Sequence, residues 1–131
     1  MAKTPKESSP SLRWTGVCID CADAEVMADF YGRLLGWEVA ARDGKGWVLM
    51  RDPAGSLNLL FQAEALYRPP VWPEQPDGQD KMLHFEIQVD DLHRAVDHAV
   101  SLGARVADYQ PQEHVRVLLD PAGHPFCLFL D

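Results

Sequence analysis

His84, Glu86 and Gln88 stand at every second position, with Phe85, Ile87 and Val89 between them. In an extended strand this alternation puts the imidazole, the carboxylate and the amide on one face and the apolar side chains on the other. A carboxylate beside an imidazole can serve as a general base pair or take part in a metal site; it can equally form a hydrogen-bonded row that orients a ligand. His84 and Glu86 are the catalytic candidates. Cys18 and Asp20 form a similar row near the start of the chain. Cys18 and Cys21 also spell C-x-x-C, but residues three apart in a strand point to opposite faces, so the pair reads as two small buried side chains rather than a redox or zinc motif.

These rows need strands to carry them. Arg13 to Cys21 is an apolar-rich segment of strand length. Asp23 then stands at an N-cap position, Val26, Phe30 and Leu34 recur at spacing four, and Gly36 ends a helix. Trp37 to Ala41, Gly46 to Arg51 and Leu57 to Gln62 read as three further strands, the first two joined at Asp43-Gly44. The same order then restarts. Met82 to Val89 reads as a strand, Asp90 or Asp91 caps a helix that Gly103 stops, and Ala104 to Tyr109, His114 to Leu119 and Phe126 to Leu130 complete the set. The chain therefore predicts α+β architecture in two tandem βαβββ modules, residues 12–62 and 81–131, forming one structural domain. Residues 1–11 form a polar tail and residues 63–80 a Pro-rich linker or lid.

A repeated phrase marks both modules. Asp52-Pro53-Ala54-Gly55 and Asp120-Pro121-Ala122-Gly123 each separate two apolar runs, as a hairpin turn requires: Asp caps, Pro presets φ and Gly takes the left-handed angle. Pairing the two copies places Leu59 opposite Cys127 and Gly16 opposite His84. Leu59 and Phe61, with Cys127 and Phe129, are then expected to wall a cleft, and Trp72 on the Pro-rich loop is expected to act as its lid. His93, His98, His114 and His124 read as solvated surface.

The totals narrow the partners. The chain has 131 residues, 20 acidic against 12 basic and a formal net charge of −8. That balance disfavours nucleic acid and anionic membrane surfaces. A neutral or cationic small molecule is the natural ligand. No run approaches a membrane span, no signal segment precedes the first strand, and three cysteines suit a reducing compartment, so a cytoplasmic location is expected.

The duplicated unit, the Phe30-Tyr31…Leu35-Gly36-Trp37 helix exit, His84 running into Val89-Asp90-Asp91-Leu92, Leu102-Gly103-Ala104 and Asp120-Pro121-Ala122-Gly123-His124-Pro125-Phe126 resemble the vicinal oxygen chelate superfamily, and within it the glyoxalase and bleomycin-resistance proteins. The resemblance covers about residues 12–131. It implies curved mixed sheets around a cleft, a homodimer, and, in metal-dependent members, ligands from the first and last strands of each module. Carried over by position, Gly16 and Leu59 cannot bind a metal; His84 can, and Cys127 stands where a Glu is usual. The resemblance thus implies a metal-free, bleomycin-resistance-like cleft for an apolar or cationic molecule, with no cofactor. Its binding residues would be Cys18, Asp20, Leu59, Phe61 and Trp72 on one side, with His84, Glu86, Gln88, Cys127 and Phe129 on the other. The alternative is a divergent metal-dependent lyase, isomerase or dioxygenase that uses a divalent ion at His84, Glu86 and Cys127.

Overall fold

A computed structural model describes residues 10–55 and 57–130. The expected tail lies outside the described residues except for positions 10 and 11. The chain runs β1 (Gly16–Cys21), α1 (Ala24–Leu35), β2 (Glu38–Asp43), β3 (Trp47–Arg51), β4 (Asn58–Ala63), β5 (Phe85–Gln88), α2 (Leu92–Ser101), β6 (Arg105–Val106), β7 (Val115–Leu119) and β8 (Pro125–Phe129). It forms two four-stranded mixed sheets, ordered β1-β4-β3-β2 and β5-β8-β7-β6. The two sheets repeat one topology: in each, the first strand pairs parallel with the last, and the remaining pairs are antiparallel. The expected α+β class and the doubled βαβββ order are both present.

Local chemistry explains the element ends. Asp23 accepts hydrogen bonds from the backbone N–H groups of Glu25 and Val26, and Gly36 closes α1 at φ 74°. Asp91 caps α2 through Arg94. In both hairpin phrases the glycine N–H bonds back to the aspartate carbonyl at 2.8 Å and the glycine has a left-handed φ, 79° at Gly55 and 93° at Gly123. Gly16 is needed for a different reason: a Cβ there would meet the Asn58 carbonyl oxygen at 2.5 Å, so β1 and β4 approach closely only because the side chain is absent.

The core joins the modules. The face α1 buries is Ala24, Met27, Ala28, Phe30 and Tyr31, while Val26 is 47% exposed. A spacing of four overshoots each helical turn by about 40°, so the stripe expected through Val26 drifts off the buried face. Tyr31 stacks on Phe61 of β4 at 5.6 Å and meets Phe85 of β5 edge-on at 5.6 Å, and Phe30 meets Phe126 of β8 at 5.9 Å. Each such ring pair contributes about 0.5–1.5 kcal/mol beyond its buried area. One helix thereby ties both sheets together.

Two strands differ from expectation in ways that matter for the site. Met82 to His84 precede β5 rather than belonging to it: Met82 has φ 65°, and Leu83 N–H bonds to the Lys81 carbonyl at 2.6 Å, a tight γ-turn that a strand cannot contain. His84 is therefore at the strand's entrance, not within it. The strand expected over Ala104 to Tyr109 shrinks to Arg105–Val106, after which the backbone turns so that Gln110 can bond Ala107 and Val117.

Candidate functional site

The two faces of each sheet have different fates. Val17, Ile19 and Cys21 of β1, Val48 and Met50 of β3, and Leu59 and Phe61 of β4 belong to the core under α1. Cys18 and Asp20 occupy the opposite, open face and are exposed. The cysteine pair does split between faces, but Cys18 is not buried as expected; its thiol lies 3.8 Å from the Gln62 side-chain oxygen. In the second sheet Phe85, Ile87 and Val89 pack on the core, and Phe126 and Leu128 are buried with them.

Leu59 and Phe61 are corrected by this arrangement: both point into the core, not toward a cleft. The strand pairing shows why. Cys18 stands opposite Leu60, as Glu86 stands opposite Cys127. Leu60, not Leu59, is the counterpart of Cys127. The first hairpin connection spans residues 52–57 and the second 120–124, one residue fewer. In a strand a one-residue offset reverses every side chain's face. Leu60 cannot ligate a metal either, so the deficit in the first module stands.

On the second sheet the expected polar residues converge. His84 Nε2 and Glu86 Oε2 are 2.5 Å apart. Glu86 is directly across from Cys127, and ligand atoms of His84, Glu86 and Cys127 all lie within 4.8 Å of one another. Burial first, and then the Glu86 carboxylate, push the Cys127 thiol up to about 11, while Lys81 pulls it down. Trp72 covers this face, packing with Ala107, Val117 and Cys127. Gln88 and Phe129 pair across β5 and β8 farther along the strands and do not line the cavity described next.

A cavity of about 250 Å³ opens between the modules, at the edge where β1 faces the entrance to β5. Ile19, Tyr31, Phe85 and Pro125 give it apolar walls; Cys18, Asp20, His84, Lys81 and His124 supply polar groups. Asp120 lies at its floor, 2% exposed, and accepts from the Tyr31 hydroxyl at 2.7 Å and from the backbone N–H groups of Ala122 and His124. Burial raises the Asp120 carboxyl above its ordinary range against the opposing effect of these donors, and burial with the Asp120 charge pushes Tyr31 well above its own. His124 Nε2 donates to the Asp20 carbonyl at 2.7 Å, which fixes the proton on that nitrogen. The Tyr67 hydroxyl donates to the Ala122 carbonyl at 2.6 Å and lies 3.3 Å from the same imidazole nitrogen.

Of the residues expected from the sequence, Cys18, Asp20 and His84 line this cavity, together with Tyr31, Lys81, Asp120 and His124, which the sequence did not single out as binding residues. His124 is half-buried rather than solvated surface. Its adjacency to a turn aspartate was visible, but its bond to β1 is a contact across 104 positions.

Two βαβββ modules, each with a helix on one sheet face, and a polar cluster at the joined strands β5 and β8 place the molecule in the vicinal oxygen chelate class. A model of the glyoxalase-like domain family matches residues 16–129, and the chain belongs to that family. Solved structures agree on the fold. The chain is similar to a possible glyoxalase from Bacillus cereus (14% identity, TM-score 0.67, covering 91% of this chain and 99% of that one). It is also similar to a glyoxalase/bleomycin resistance protein/dioxygenase family enzyme from Burkholderia phytofirmans PsJN (17%, 0.66, 88% and 96%) and to a lactoylglutathione lyase from Agrobacterium tumefaciens (17%, 0.59, 93% and 96%). No curated protein sequence matches the chain. Among the described residues no helix is long and apolar enough to cross a membrane.

Proposed function

We propose that the protein binds a small apolar or cationic molecule, in the manner of a bleomycin-resistance-like binder, in the cavity between its two modules. The observation that carries this reading is the cavity itself: aromatic and aliphatic walls from both modules, with the exposed Asp20 carboxylate at the rim. Its volume, about 250 Å³, suits one aromatic ring with a short substituent, and an aromatic wall beside a carboxylate favours a positive charge on it. The excess of acidic residues draws such a ligand in.

Calorimetric titration with benzylammonium and with benzyl alcohol tests this. Binding is expected for the cation, weakened about threefold by Asp20→Asn, which removes an exposed negative charge from the rim, and abolished by Cys18→Phe, which fills the cavity. Failure of both probes to bind the folded protein overturns the reading.

A second reading is favoured by one specific observation, the convergence of His84, Glu86 and Cys127. As a four-ligand site shared between modules the set does not fit, because Gly16 and Leu60 offer nothing. As a three-ligand site of imidazole, carboxylate and thiolate it fits a borderline ion such as Zn²⁺ better than a hard one. Here a bound ion would supply Lewis-acid chemistry at its open position. The chain's residues would hold it, and Trp72 would keep water from the Cys127 side. Metal analysis of protein purified without chelator checks this: about one divalent ion per chain, lost in His84→Ala, supports it. If no added Zn²⁺, Mn²⁺, Fe²⁺ or Ni²⁺ raises the melting temperature, the metal reading fails, since a native-state ligand must stabilise that state.

A further inference from the structure

Lys81 stands where three features meet. It lines the cavity between the modules and the adjoining groove of about 340 Å³, and its ammonium reaches under the Trp72 loop. Nζ is 4.9 Å from the centroid of the Trp72 ring and forms an ion pair with Glu74. The Lys81 side chain is only 20% exposed. A cation over an aromatic face with a carboxylate beside it is the arrangement by which proteins recognise ammonium ligands, and here the chain supplies its own cation.

The frame around that cation is held by other contacts. Trp72 Nε1–H donates to the Tyr109 carbonyl at 3.3 Å, and the two rings pack at 6.0 Å. Trp72 also packs against Ala107, Val117 and Cys127. Val71 N–H bonds the Gln79 carbonyl at 2.9 Å, closing the loop at its base, and a Cβ on Gly78 would meet Val71 at 2.9 Å. The aromatic face is therefore in place without help from the lysine.

We propose that Trp72 and Glu74 form an ammonium-binding subsite next to the cavity, reached along the Lys81 side chain that lines it, and that Lys81 is a resident occupant which a cationic ligand displaces. This rests on the cavity reading above and sharpens its ligand class: a primary or quaternary ammonium whose apolar body enters the cavity. Lys81 has a flexible four-carbon stem, so on displacement its charge can return to water while the stem keeps its packing.

Calorimetric titrations of wild type, Lys81→Met and the Lys81→Met/Trp72→Leu double variant test the proposal, with benzylammonium and benzyl alcohol as probes. Removing the internal competitor should tighten benzylammonium binding about tenfold, leave benzyl alcohol unchanged, and give no gain once Trp72 is also lost. Lys81→Arg, which keeps a cation on the ring, should bind as wild type does. Lys81→Gln provides the same measurement if the Met variant is unfolded. The subsite is overturned if vacating Lys81 gives no gain, if the gain survives Trp72→Leu, or if the neutral probe shares it. Wild-type binding with no gain in the variants removes the subsite and leaves the cavity reading standing; silence of both probes on every variant removes both.

Discussion

Replacing Asp120 by alanine is expected to lower the unfolding free energy by about 3 kcal/mol, a large fraction of the stability of a chain this size. The carboxylate is 2% exposed and serves three donors at once: the Tyr31 hydroxyl and the N–H groups of Ala122 and His124. Deleting it strands those donors where water has little access, and each costs on the order of 1 kcal/mol or more. Tyr31 is the ring that joins α1 to both β4 and β5, so the loss loosens the contact between the modules as well as one hairpin. Chemical denaturation of the variant beside wild type measures the effect, and a loss under about 1 kcal/mol would refute it.

The same residue gives a pH signature. Burial lifts its folded-state pKa above the ordinary aspartate range despite the Tyr31 and backbone donors. The folded protein therefore holds this proton more tightly than the unfolded chain. Its contribution is fully present below about 3.8 and is lost as pH rises through the folded value. Measured against Asp120→Asn, which has no proton to release, wild type should fall behind over that interval and then run parallel. A flat difference between pH 3 and 7 contradicts this account.

Phe61→Ala is expected to cost about 3–5 kcal/mol, whereas Leu60→Ala should cost about 1 kcal/mol. Phe61 is fully buried and stacked on Tyr31 with 9° between the ring planes. Leu60 is half-buried on the open face. The pairing of the two hairpin phrases without an offset puts Phe61 on the cleft wall, and under that register its truncation would be mild. Thermal unfolding of the two variants decides between the registers, because the ranking inverts rather than merely shifting.

Much of the frame was legible because it depends on neighbours in sequence. Asp23 and Gly36 bound a helix through bonds spanning two to four residues, and Asp52…Gly55 and Asp120…Gly123 close turns by themselves. The alternation of His84, Glu86 and Gln88 with Phe85, Ile87 and Val89 declared which face would be buried, and the core holds those three apolar residues. Repetition of these local signals was enough to reveal two modules. Where the signal was weaker the reading slipped. Met82 and Leu83 carry apolar side chains fit for a strand, yet the γ-turn at Met82 delays the strand to Phe85, and nothing in their composition announces a positive φ.

By itself, then, the sequence determined the two modules, their caps and turns, and the polar row that begins at His84. Tertiary structure decided which side chains share a space. One extra residue in the first connection turned Leu59 and Phe61 inward and put Leu60 outward, because a strand has a period of two and registers only against its partner. The meeting of His124 with Asp20, of Tyr31 with Asp120, and of Lys81 with Trp72 likewise depends on how the two modules and the loop between them pack. Short-range bonding fixes elements within a few residues, whereas the cavity is made by packing between distant segments. No local pattern encodes such distances.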